Sequence, residues 1–193
     1  MKQSGQTLIE GIAAVFIILV GIIGALILTL TALSSSTESE NQVLAANFAR
    51  EAMEVIRNKR DSNWLAKLDF DAGLIDYYVI TNLTSGSWSI VPVTVDDFDL
   101  ETCNPTCQLF FNQTTGIYNQ ESLPGTNQPV NFYRLVQLNN ICEYVEKLEI
   151  MAPGTACPYY TVKAGIQVVV KVVWPDGNQL RSLILEDRLF NWK

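Results

Sequence analysis

Gly5-Gln6-Thr7-Leu8-Ile9-Glu10 leads into an apolar run from Gly11 to Leu33, and no charged residue stands between Glu10 and Glu38. A helix rises about 1.5 Å per residue and a bilayer core is about 30 Å thick, so about 20 apolar residues cross it. This run is long enough. A carboxylate at its front edge is costly in lipid unless a partner neutralises it, which marks Glu10 as a candidate functional residue.

Working outward, all seven prolines lie at or beyond Pro92, so the first ninety residues hold no obligate helix breaker. Leu44, Phe48, Ala52 and Val55/Ile56 recur at helical spacing. Asn47, Arg50/Glu51, Glu54 and Asn58 are assigned to the opposite face. This is an amphipathic helix with one stripe to bury, ending near Asn58 to Asp61. Ser34-Ser35-Ser36-Thr37 separates it from the apolar run. Thr37-x-x-Glu40 reads either as a capping box that restarts the helix or as a polar stretch of one continuous helix.

Beyond residue 60 the pattern turns to β structure. Tyr77 to Thr81 and Trp88 to Val95 are rich in β-branched and aromatic residues around Thr84-Ser85-Gly86-Ser87, and Pro92 assigns the second run to an edge. Leu109 to Phe111 and Ile117-Tyr118 flank a loop that contains Gly116. Phe132 to Leu138 and Lys147 to Met151 alternate. Ile166 to Trp174 and Leu180 to Leu185 flank Pro175-Asp176-Gly177-Asn178, whose chemistry is that of a turn. The fold class expected is α+β: a long N-terminal helix, half membrane-spanning and half amphipathic, packed on a C-terminal antiparallel sheet.

The leader and the helix behind it resemble the type IV prepilin family, in which a short basic leader ends in Gly and is followed by a residue, Thr-Leu-Ile/Leu-Glu and a hydrophobic helix. Gln6 departs from the family's usual apolar residue at that place. The stretch Ala49 to Asn58 through Trp64, and the ending Leu189-Phe190-Asn191-Trp192-Lys193, are more loosely similar to minor pilins and pseudopilins. The resemblance implies cleavage after Gly5 by a prepilin peptidase and N-methylation of the new terminus, Gln6, with Thr7 completing the motif. It implies that Glu10 neutralises the amine of a neighbouring subunit in a filament. The division implied is a leader at 1–5, a transmembrane and filament-core helix at 6–33, an amphipathic half-helix at 34–60 and a pilin-like β domain at 61–193.

The implied function is structural, in a type IV pilus, type II secretion or competence filament. The partners would be other pilins or pseudopilins, the peptidase, the membrane and an assembly platform. The chain would start as a single-pass protein of the cytoplasmic membrane with its C-terminal domain outside the cytoplasm, and then enter the filament. A cleaved secretory signal fits less well, because its core is about 7–15 residues and Leu30-Thr31-Ala32 poorly matches its cleavage site. A plain signal anchor needs only Lys2 and the apolar run, and leaves Gly5 and Glu10 unexplained. The rival function is a membrane-anchored binding module that never polymerises.

Composition narrows the chemistry. The formal charge is −7, with no basic stripe to neutralise phosphates, so nucleic acid is not an expected partner. The chain has no His, the commonest general base and zinc ligand, and no enzymatic role or cofactor is expected. Cys103, Cys107, Cys142 and Cys157 all follow the apolar run, where disulfides form if that part lies outside the cytoplasm. Four Cys allow three pairings, of which Cys103–Cys107 with Cys142–Cys157 is the sequence-local one. Their spacing departs from the paired C-x2-C of zinc sites. Asp96, Asp97, Asp99 and Glu101 form the one candidate calcium cluster, without the Gly and fixed spacing of an EF-hand loop. A solvated acidic loop is the simpler reading.

Overall fold

In a computed structural model, residues 4–74, 78–84, 87–93, 106–123, 125–145, 147–177 and 179–191 are described. One helix, α1 (Ser4–Leu65), precedes eight strands: β1 (Tyr78–Thr84), β2 (Ser87–Pro92), β3 (Gln108–Asn112), β4 (Ile117–Asn119), β5 (Asn127–Tyr144), β6 (Lys147–Ile150), β7 (Val162–Asp176) and β8 (Gln179–Phe190). The α+β class expected from the pattern is the one observed. The chain forms two units, Met1–Asn41 and Gln42–Lys193.

The helix is unbroken through Ser34–Thr37. The Thr37 hydroxyl donates back to the Leu33 carbonyl at 3.2 Å, and Ser39 to Ser35 at 2.9 Å. Thr37 therefore acts inside a helix rather than as the cap of a second one.

In the second unit every strand pairing is antiparallel, and β5 is the spine. One of its edges carries β7, from Tyr133↔Val173 to Glu143↔Val162. The other carries β3, β1 and β6 in succession. β4 pairs with β3, β2 with β1, and β8 with β7 over twelve residue pairs. Pro92 closes β2, which among the described residues pairs only with β1 and is an edge strand as expected. The β7–β8 connection is tighter than Pro175–Asn178: Pro175 and Asp176 pair within the ladder, and Gly177 takes the turn at φ +59°.

The core follows the two periodicities. Ala45, Phe48, Ala49, Ala52, Met53 and Ile56 make the buried stripe of the helix. They meet Phe132, Val136 and Leu138 of β5 and the alternate residues Ile166, Val168, Val170, Val172 and Trp174 of β7. Three alanines in the stripe let the helix backbone approach the sheet closely. Phe48 sits edge-on to Tyr118 and Phe132, with centroids 4.9 and 5.3 Å away.

The helix runs to Leu65, past the expected end at Asn58 to Asp61. Asn63 holds the extra turn: it is buried, and its Nδ2 donates to the carbonyls of Phe70 at 3.1 Å and Ala72 at 2.9 Å. Termination comes from a Schellman motif. Leu68 N–H donates to Asn63 O, Lys67 N–H donates to Trp64 O, and Lys67 adopts φ 58°.

Candidate functional site

Every residue from Leu8 to Thr37 is exposed, and the large apolar side chains from Leu8 to Leu33 are 51% to 72% accessible. Leu8 to Leu33 covers roughly 39 Å of helix, more than the hydrocarbon thickness. This helix is long and apolar enough to be a single-pass membrane anchor. Its hydroxyls suit that setting. Thr29 and Thr31 each donate to the carbonyl four residues back, at 2.9 Å, so neither leaves an unsatisfied donor in an apolar medium.

Glu10 is exposed at the front of this surface. Its helical neighbours at three and four residues are Gln6, Thr7, Ala13 and Ala14, and no Lys or Arg occurs from Gln3 to Ala49. Its own helix therefore places no Lys or Arg near this carboxylate. Gly5, Gln6 and Thr7 lie in the first turns of α1, whose side chains up to Thr7 are outside the described residues.

In the second unit the polar contacts join helix to sheet. Arg134 is fully buried on β5, in phase with Phe132 and Val136. Its Nη1 donates to Phe48 O at 3.1 Å and to Glu51 Oε1 at 2.7 Å, and its Nε donates to Gln120 Oε1 at 3.2 Å. Gln120 in turn donates to the carbonyls of Cys107 and Arg134. Burial pushes the guanidinium pKa down, and the Glu51 carboxylate opposes that shift. Farther along the helix, Arg57 donates to Asp187 of β8 at 2.7 and 3.1 Å, and that hydrogen bond raises its pKa against the partial burial. Glu51 thus does not belong to the solvent face assigned to it with Arg50: it is half-buried against Arg134.

Cys142 and Cys157 are joined, with their Cα atoms 5.6 Å apart. Cys107 is buried and disulfide-bonded, while Cys103 lies outside the described residues. Asp96, Asp97, Asp99 and Glu101 also lie outside them. Among the described residues no three His, Cys, Asp or Glu side chains gather as metal ligands. Trp174 is buried sheet packing, but Trp88 is a third exposed, on the wall of a cleft between α1 and β2. Arg134 was missed by pattern reading, although its phase among apolar residues was the available signal. Comparison with protein-family models, curated proteins and solved structures finds no match for this chain.

Proposed function

We propose that this chain is a minor pilin or pseudopilin: a structural subunit processed at Gly5, held in the cytoplasmic membrane by α1 and transferred from there into a filament. The observation that carries this reading is Glu10. It heads an exposed, uncharged helix of membrane length, and its own helix offers no cation before Arg50. The α-amine of a neighbouring Gln6, freed by cleavage after Gly5, supplies one. A paired carboxylate is tolerated in an apolar filament core where a lone one is not.

The rest of the molecule suits the role. A filament subunit needs a hydrophobic helix and a folded domain. Here α1 carries an apolar segment, and its Ala45, Phe48, Ala49 and Ala52 belong to the core of the second unit. The chain has no His, and among the described residues no three Cys, Asp or Glu side chains gather as metal ligands.

The test is intact-mass and N-terminal peptide mass spectrometry on the protein from native membranes. A chain beginning at N-methylated Gln6 supports the assignment. A chain still beginning at Met1, in a host with active prepilin peptidase, overturns it in favour of an anchored binding module.

A further inference from the structure

Glu54, Val55, Asn58, Lys59 and Ser62 of α1 face Trp88 and Ile90 of β2 across an open cleft of about 760 Å³. The helical residues recur at spacings of three and four, so they form one stripe. On β2, Ile90 packs against the core, and strand alternation places Trp88 two residues away on the same face. Trp88 is 37% exposed although it lines a wall, so its ring stays accessible. The volume is within the range of about 300–1,000 Å³ usual for ligand sites.

The charges of the cleft are largely spoken for. Glu51, one of its lining residues, is bound by Arg134, and Glu54 forms an ion pair with Arg57. Lys59 has no ion-pair partner among the described residues, and it leans over Gly73, where an added Cβ would sit 3.3 Å from its Cε. Gly73, at φ +77°, permits this approach. What is presented is an aromatic wall, an aliphatic floor, an amide, a hydroxyl, an ammonium and ion-paired carboxylates, Glu54 sharing Arg57 with Asp187. This set offers donors and acceptors in similar number and little net charge.

From this chemistry we infer that the cleft binds a neutral saccharide, with a sugar ring stacked on Trp88 and its hydroxyls bonded by Asn58, Lys59 and Ser62. A nucleotide or an anionic lipid headgroup would need more than one unpaired cation. An apolar peptide segment would leave the amide, hydroxyl and ammonium without partners. A sugar satisfies both the ring and the polar edge. The inference does not depend on filament assembly.

The experiment titrates the full chain, in a detergent without a sugar headgroup, with maltotriose, cellotriose and chitotriose. Binding is read by saturation-transfer NMR on the sugar and by tryptophan fluorescence. A saturable response to at least one trisaccharide is expected. It should weaken about tenfold or more in Trp88→Ala and in Asn58→Ala, persist in Trp88→Phe, and leave thermal unfolding of these variants near that of the parent. No saturable response to any of the three sugars overturns the proposal. So does binding that Trp88→Ala leaves unchanged, or saturable binding of a charged tripeptide but of no sugar.

Discussion

Arg134 Nη1 on β5 donates at once to Glu51 Oε1 at 2.7 Å and to the Phe48 carbonyl at 3.1 Å, so one guanidinium grips a full turn of α1. The group is wholly buried, and its net contribution is a balance of desolvation against paired contacts. Breaking that balance on one side is costly. Glu51→Ala takes a carboxylate away from a buried cation and is expected to lower stability by about 3–5 kcal/mol. Arg134→Met, which removes the charge and keeps much of the volume, is expected to cost clearly less. Chemical denaturation of the two detergent-solubilised variants checks the ordering. A larger loss for Arg134→Met would mean that the arginine is a net stabiliser beyond its pairing with Glu51.

The helix terminus gives changes of opposite sign. Asn63→Ala strips the carbonyls of Phe70 and Ala72 of their donor, at an expected cost of about 1–3 kcal/mol. Lys67 holds φ 58° at the position where a Schellman motif favours glycine. Lys67→Gly is therefore expected to stabilise the domain by about 1 kcal/mol. Thermal melts of both variants suffice, and a destabilising Lys67→Gly would show that the lysine side chain makes a compensating contact.

Gly165 of β7 fills a place that no side chain can share. A Cβ there would lie 2.5 Å from the Leu189 carbonyl and 3.0 Å from the Phe190 Cα, both of them backbone atoms. Gly165→Ala must push β8 away from β7, and a loss of about 1–3 kcal/mol or more is expected. Hydrogen exchange should locate it: Leu189 and Phe190 lose protection while the turn at Gly177 keeps its own. Uniform loss along β8 would point instead to a weakened core.

Much of this was legible in the residues. The turn chemistry of Pro175 to Asn178 between two runs placed β7 and β8, and a period near 3.6 placed the helix stripe, because burial imposes that period directly. Asn63 shows where the pattern fell short: its two acceptors come from the chain after the helix, so composition near Asn58 to Asp61 read as an ending. The apolar rhythm points to seven residues for β5, which spans eighteen, since Asn127, Asn131, Asn139 and Asn140 break a rhythm that pairing with four other strands overrides. The Arg134–Glu51 contact joins residues 83 positions apart and follows from no local rule. The Gly5-to-Glu10 segment is legible only as a motif, and the partner proposed for Glu10 is another molecule.

Glu10 yields the last expected outcome. Glu10 is not among the residues of the domain core, which begin at Ala45, so replacing it should leave that core untouched. If Glu10 is matched by a neighbour's terminal amine, Glu10→Val removes that charge pair while making the helix more apolar and easier to retain in lipid. The variant should accumulate in the membrane, be cleaved normally after Gly5, melt like the parent and enter filaments poorly. Gly5→Val should behave differently: it should remain uncleaved, with Met1 still present. Comparing filament and membrane fractions for the two variants separates processing from assembly. Incorporation of Glu10→Val at the parental level would remove the role given to this carboxylate and, with it, the main physical support for the filament reading.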